Sequence, residues 1–247
     1  MHKMKNPVII PTHNCYELTE RCIASVLAQD IPVTILVIDN GSTDKRLLDY
    51  LAAFNSPSLA GSLECVFLPR NEGVSKAWNI GLASVFNTGA AEHALVLNND
   101  LEIPPQYYRL LLETEENFIS GVNIGTPNGS RYWENGIVPK PERRHKIPHP
   151  DFSAFLIRKL CWEKAGSFDE NMVFYAQDCD YHVRMNREGI WAGSINLEYY
   201  HYASGTLKQA TDEEKQEIAL QADADREEFI KKYGCRIGTP EYDRLFG

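Results

Sequence analysis

Little in this chain suits a membrane-spanning or disulfide-stapled protein. No stretch approaches the roughly 18 consecutive apolar residues that a transmembrane helix needs, and Met-His-Lys-Met-Lys-Asn-Pro at the N-terminus leads into only a short apolar run, without the core of a signal peptide. A cytoplasmic protein is expected, with peripheral membrane contact left open. Cys15, Cys22, Cys65, Cys161, Cys179 and Cys235 form no Cys-x-x-Cys pair and no zinc-site spacing. Several lie inside apolar patterns, where cysteine behaves as a small hydrophobe in a reducing compartment. Basic residues are also in short supply. With 25 Lys and Arg against 34 Asp and Glu, the formal charge is −9, which repels a polyanion and makes nucleic acid a disfavoured partner. Internal repeats, low-complexity tracts and linkers are missing, so the 247 residues, 43% of them hydrophobic, are expected to bury one substantial core.

What the chain does have is a series of short apolar strands that stop abruptly in polar side chains. Val8-Ile9-Ile10 runs into Pro11-Thr12-His13-Asn14, and Thr34 to Ile38 runs into Asp39-Asn40-Gly41-Ser42-Thr43-Asp44. Ala94 to Leu97 ends in Asn98-Asn99-Asp100, and Cys65 to Leu68 precedes Asn71-Glu72-Gly73. Between them lie helical stripes: Leu18, Cys22, Ile23, Val26 and Leu27 behind an Asn14/Glu17 capping box, Leu47, Leu48 and Leu51 behind Asp44, and Ala77, Trp78, Ile80, Gly81 and Leu82. Strands alternating with helices of this length predict a parallel sheet with helices on both faces. Such sheets bind ligands at the carboxyl ends of their strands. A carboxylate there, with a divalent cation, can hold a diphosphate; taken alone, Asn-Asn-Asp is equally a good turn.

Beyond residue 117 the rhythm changes. Gly125 to Gly136 reads as turn-rich, and Val138 to Pro150, with four prolines around Arg143-Arg144-His145-Lys146, reads as a loop with a basic face. Asp151 to Ile157 predicts a strand and Lys159 to Ala165 a helix. A second capping box, Thr211 with Glu214, opens a stripe of Ile218, Ala222, Phe229 and Tyr233 that predicts a packed terminal helix. The expected division is therefore a domain over 1–210, in two parts at about 6–117 and about 118–210, with 211–247 packed on it as a helical extension.

In order and spacing these segments resemble the nucleotide-binding half of a GT-A glycosyltransferase, specifically the rhamnosyltransferase-like enzymes of the large inverting family 2. The resemblance covers roughly residues 6 to 205. Pro11-Thr12-His13-Asn14 is similar to the family's first-strand motif, Asp39 to Asp44 to its second, and Asn71-Glu72-Gly73 with Asn79 to its third. Asn98-Asn99-Asp100 sits where the family has its metal-binding Asp-x-Asp, with an amide in the first place. Gly166-Ser167-Phe168-Asp169-Glu170 and Gln177-Asp178-Cys179-Asp180-Tyr181 resemble the acceptor-side motifs that end in the catalytic base.

The resemblance implies a GT-A, Rossmann-like fold and transfer of a sugar from a nucleotide-diphosphate donor to a hydroxyl of a glycan or other acceptor. Asp100 is then the principal carboxylate ligand of Mn²⁺ or Mg²⁺, and His201, after the run Ile195 to Tyr200, completes the metal shell. Asp39 is placed to accept the imide N–H of uracil or thymine, which implies a UDP- or dTDP-sugar. Pro11, Thr12, Asn14, Asn98 and Asn99 meet base or ribose, and Asn71, Gly73 and Lys76 line ribose and diphosphate. The acceptor hydroxyl needs a base, and the motif selects Asp178. Positions two apart on a helix face differently, so Asp180 is expected to pair with Arg184 at i, i+4. Trp133, Trp162, Phe174, Tyr175 and Trp191 are candidate sugar platforms. A sugar-nucleotide nucleotidyltransferase is disfavoured because Pro11 to Asn14 lacks the Gly-rich, basic loop of a triphosphate site. A non-catalytic binding module stays open, given Gln177 and the incomplete Asp-x-Asp.

Overall fold

Alternate residues of the central strands face two separate helical layers, and that division decides where polar groups can go. A computed structural model describes residues 4–54, 63–116, 122–135, 143–144, 151–190, 192–202 and 205–246. Its first half runs β1 (Pro7–Thr12), α1 (Tyr16–Leu27), β2 (Thr34–Asp39), α2 (Lys45–Phe54), β3 (Leu63–Phe67), α3 (Val74–Phe86) and β4 (His93–Leu97). There follow β5 (Leu101–Glu102), α4 (Tyr107–Glu116), β6 (Val122–Asn128), β7 (Arg143–Arg144), β8 (Ala154–Arg158), α5 (Lys159–Ala165) and α6 (Gln177–Arg187). The described chain closes with β9 (Ala192–His201), α7 (Gly205–Gln209), α8 (Asp212–Tyr233) and α9 (Pro240–Asp243).

Val8, Ile10, Val37 and Leu95 pack with Cys22, Ile23 and Val26 of α1, Leu47 and Leu51 of α2, and Tyr107 and Tyr108 of α4. Ile9, Leu36, Ile38 and Val96, one residue out of phase, pack with Ala77, Trp78 and Leu82 of α3, Cys161 of α5 and Tyr181 of α6. Period-two alternation with both faces apolar gives the α/β architecture the sequence predicts. The sheet order is β3-β2-β1-β4-β8-β6-β9-β5, with β7 on β9. It is parallel through β1 to β4 and mixed beyond, since β8 joins β4 antiparallel and β6 joins β9 parallel.

Three local expectations are corrected. The Asn14/Glu17 capping box does not form: Asn14 and Cys15 are left-handed, at φ 54° and 60°, and α1 has no side-chain N-cap bond. Asn14 Oδ1 instead accepts from the backbone N–H groups of Thr43 and Asp44 at 2.8 and 3.0 Å. Asp44 accepts from Arg46 N at 3.0 Å, capping α2 as expected, and reaches back to Tyr16 N at 3.4 Å. Each loop thus satisfies orphan donors of the other. Gly125 lies within β6 rather than in a turn, because a Cβ there would stand 2.0 Å from Tyr107 Oη. Arg143-Arg144 forms a strand paired with Ile195 and Ser194 instead of a loop face; residues 136–142 and 145–150, with His145 and Lys146, lie outside the described residues.

The terminal helix begins with the predicted box, Glu214 N donating to Thr211 Oγ1 at 3.2 Å and Thr211 N to Glu214 Oε2 at 2.7 Å. Its anchorage has two parts. Phe229 packs with Met172, Val183 and Tyr242, and Asp225, fully buried, accepts from the backbone N–H groups of Val173, Phe174 and Tyr175 at 3.0, 2.8 and 2.8 Å. Asp180 adds a second tie, accepting from Arg184 Nε at 2.8 Å, as expected, and from Tyr233 Oη at 2.7 Å. Removing the Asp225 carboxylate strands three backbone donors. Asp225→Ala is expected to cost about 2–4 kcal/mol in urea unfolding, with hydrogen exchange at residues 173–175 accelerating first; unchanged stability would contradict this anchorage.

Candidate active site

A cleft of about 370 Å³ opens where β1 and β4 end and α6 begins. Its walls include Pro11 and Thr12 from β1, Asn98, Asn99 and Asp100 from the turn after β4, and Gln177 and Asp178 from the first turn of α6. Two candidate carboxylates, Asp100 and Asp178, therefore come from distant stretches of chain to one opening.

The β4–β5 turn is fixed from three sides. Asn98 N donates to Ser153 O at 2.8 Å. Asn99 is buried, and its Nδ2 donates to Thr12 Oγ1 at 3.2 Å and Thr19 Oγ1 at 3.0 Å, tying the turn to β1 and α1. Asp100 Oδ2 accepts from Gly205 N at 2.9 Å, and Oδ1 lies 3.3 Å from His201 Nε2. Pairing of β5 with β9, Leu101 opposite His201, sets the carboxylate and imidazole side by side. Burial works to lower the His201 pKa, but the Asp100 carboxylate outweighs it and the net shift is upward.

Asp178 stands at the wall of the cleft behind Ala176, a non-glycine residue held left-handed at φ 64°. Such a conformation persists only where the surroundings over-determine it, and here the preceding residues are gripped by Asp225. Burial pushes the Asp178 carboxyl up to about 6, with the charge of Asp151 adding and the Cys179 backbone N–H opposing. Asp178 Oδ1 accepts that N–H at 2.7 Å.

The remaining sequence-selected residues divide clearly. Asp39 is buried opposite Thr12 in the β1–β2 register and next to Asn40, which lines the cleft. Its Oδ2 accepts from Ser42 N at 3.2 Å, while Oδ1 has no partner among the described residues. Burial raises its pKa against the Ser42 bonds. Asn98 Oδ1 and Gln177 Oε1 are likewise buried without a described partner. Orphaned buried acceptors each cost about 1–3 kcal/mol, which a ligand's donors offset.

Asp39 and His201 touch lining residues without themselves lining the cleft, and Asn14, Asn71, Gly73 and Lys76 are outside the lining as well. Asn14 binds the loop before α2, as described above. Asn71 Oδ1 accepts from Asn40 Nδ2 at 2.9 Å and Gly73 N at 3.0 Å. Gly73, at φ 88°, lets the loop approach Val173, whose Cγ1 would be 2.2 Å from any Cβ. Lys76 is paired with Glu170 at 2.9 Å.

Sequence reasoning left several lining residues unassigned. His13 and Asn40 sat inside the quoted motifs; His13 Nδ1 donates to Asn40 O at 2.9 Å. Asp151 and Ser153 bring polar groups just before β8, the reverse of the pattern at the parallel strands, because β8 runs antiparallel to β4 and its start lies beside the end of β4. Leu207 and Ile218 come from the C-terminal helices. Asp225 carried one signal, an acid on the apolar stripe between Ala222 and Phe229. Of the candidate platforms, Phe174 and Tyr175 line the cleft, Trp162 packs on Phe86 with centroids 6.3 Å apart, Trp133 lies in the 3-10 turn Tyr132–Asn135, and Trp191 is outside the described residues.

Among the described residues, no group of three or more His, Cys, Asp and Glu side chains is placed to hold a metal ion unaided. Asp100 with His201 supplies two donors, one oxygen and one nitrogen. That set fits a cation that takes its remaining ligands from substrate phosphates and water. No described helix is long and apolar enough to cross a membrane.

Comparison with known proteins agrees with this layout. A curated relative, the low-salt glycan biosynthesis hexosyltransferase Agl10 of Haloferax volcanii, is 26% identical over 145 residues, 51% of this chain and 47% of that protein. The chain thus spans about half the length of the curated relative it matches. Among solved structures, a mannosyltransferase from Pyrobaculum calidifontis in complex with GDP-Man and Mn²⁺ superposes with a TM-score of 0.65 at 13% identity, over 99% of this chain and 68% of that one. TarS of S. aureus in complex with UDP-GlcNAc gives 0.62 at 17% identity, over 98% and 78%. At such identities the structures speak for the fold alone. The sequence pattern of glycosyl transferase family 2 matches residues 8–165, most of the chain, and the chain belongs to that family.

Proposed function

We propose that the protein is an inverting, metal-dependent glycosyltransferase that moves a sugar from a UDP- or dTDP-linked donor to a hydroxyl of a glycan or other acceptor. The observation that carries this reading is the meeting of Asp100 and Asp178 on one cleft at the carboxyl ends of the sheet. Nucleotide-sugar complexes of the solved neighbours, with UDP-GlcNAc and GDP-Man, support the donor class.

In this reading Asp39 accepts the imide N–H of the base, and Thr12 with Asn98 meets the ribose. Asp100 and His201 hold Mn²⁺ or Mg²⁺. When bound, the cation neutralises charge that develops on the departing diphosphate. Asp178 accepts the proton of the acceptor hydroxyl at a carboxylate oxygen. The acceptor oxygen bonds to the anomeric carbon as the bond to the diphosphate breaks, and that electron pair leaves with the nucleotide. One displacement with one base inverts the anomeric carbon. Partial burial suits Asp178 to the task, since a carboxylate with a raised pKa is a stronger base near neutral pH.

The direct test is a nucleotide-sugar panel with Mn²⁺, following nucleotide diphosphate release. Slow metal-dependent hydrolysis is expected from the intact protein, and Asp178→Asn should lower kcat by about 10²–10⁴-fold. Release at the wild-type rate in that variant would remove Asp178 from the base role. Nucleotide binding without turnover across a broad acceptor panel would point to a binding module.

Because Asp178 works deprotonated, kcat should climb as pH rises through about 6 and level off above it; a flat profile from pH 5 to 8 would contradict the assignment. The same burial makes the charged form unfavourable to folding. Below the unfolded carboxyl's pKa both states are neutral and no penalty exists, and above about 6 the penalty is full. Asp178→Asn is therefore expected to raise the melting temperature at pH 7.5 and leave it unchanged at pH 3.5.

Chelation by EDTA should abolish release and Mn²⁺ should restore it. Asp100→Asn is expected to raise the Mn²⁺ concentration for half-maximal activity by about 10–100-fold. Identical metal titrations for variant and parent would count against Asp100 as a ligand.

A further inference from the structure

Asp178 stands between two cavities. One is the cleft already described. The other, about 660 Å³, lies between the first turn of α6, one face of α8 and the Arg236-Ile237 segment. Tyr175, Ala176 and Asp178 line both. The second space falls within the roughly 300–1,000 Å³ of ligand pockets, and nothing in the donor chemistry requires it.

We propose that this second cavity is the acceptor subsite and that it takes an uncharged saccharide. The proposal rests on reading Asp178 as the base. An in-line displacement brings the acceptor oxygen to the anomeric carbon from the side opposite the leaving diphosphate. With the diphosphate near Asp100, the acceptor must approach past Asp178, and the base must be reachable from a compartment that the donor does not fill. The cavity behind Tyr175-Ala176 meets that requirement.

Its lining specifies the chemical class. Ile230, Ile237 and the Tyr175 ring supply apolar surface, while Asp223, Arg226, Glu227 and Arg236 supply two charges of each sign. Arg226 is already bound to Asp223 at 2.7 Å and lies 5.5 Å from the Tyr175 ring centre. A phosphate or carboxylate at Arg226 or Arg236 would face the carboxylates of Asp178, Asp223 and Glu227, and a lipid chain would meet four ionic groups. A pyranose ring offers apolar C–H faces for the tyrosine and isoleucines, and hydroxyls that both donate to carboxylates and accept from guanidinium groups. Every residue of α8 and the following segment lies beyond the region matched by the family pattern.

The experiment separates water from saccharide as acceptor. With Mn²⁺ and a nucleotide sugar that the protein hydrolyses, the full chain is given methyl pyranosides in neutral, uronate and 6-phosphate forms, and nucleotide release is measured with and without each. Neutral glycosides are expected to stimulate release most. Ile230→Trp, which fills the cavity, should lower the ratio of glycoside-dependent to water-dependent release by about tenfold or more, whereas Leu220→Trp, on the exposed side of α8, should leave it unchanged. If Ile230→Trp fails to fold by circular dichroism, Ile237→Trp provides the same test. An unchanged ratio in the folded cavity variant, a preference for the uronate or phosphate, or no stimulation by any neutral glycoside would overturn the proposal. Absence of hydrolysis with every nucleotide sugar would instead strike at the transferase reading itself, and the acceptor subsite would fall with it.

Discussion

Burial of β1, β2 and β4 from both sides is the constraint on which the rest of the structure depends. Val8, Ile9 and Ile10, or Leu95, Val96 and Leu97, have no solvent-facing side, because each alternate residue meets a helical layer. A polar side chain in those strands would lie in apolar surroundings without a partner. The polar residues of the nucleotide half are therefore displaced to the strand ends, where Thr12, Asp39 and Asn98 to Asp100 collect. The site is a consequence of the core.

Position beyond β8 is governed differently. Here the stretch leading into α6 and Asp178 is short, irregular and ends in a left-handed alanine, and its geometry comes from elsewhere in the chain. Asp225 on α8 takes three successive backbone N–H groups of residues 173–175, while Asp180, two residues beyond Asp178, is held by Arg184 and Tyr233. The first turn of α6, with Asp178, and the terminal helix are one mechanical unit. Ile218 of the same helix lines the first cleft and Ile230 the second cavity, so α8 takes part in both.

The strands, the two-faced packing and the Asp180–Arg184 pair were legible because alternation and helical spacing are local signals. Motif order singled out Asp100 and Asp178, and the fold brings both to one cleft. The loops were not. Asn14, Asn71 and Gly73 look in sequence like ligand contacts, yet their polar atoms and backbone freedom go to neighbouring turns. Nothing in a linear pattern tells whether an amide will meet a nucleotide or a backbone N–H 29 residues away. Gly125 looked like a turn because its cause, the Tyr107 hydroxyl, comes from another element. Asp225 was visible only as an acid on an apolar stripe, and its three partners lie about 50 residues earlier in a segment without periodicity.

The most direct measurement is a crystal structure of the protein with UDP and Mn²⁺. The account predicts the uracil imide against Asp39, the cation between the diphosphate and the Asp100–His201 pair, and Asp178 facing the open end of the diphosphate across the cleft. A nucleotide seated elsewhere, or a cation that bypasses Asp100 while Asp178 turns away from it, would contradict the account.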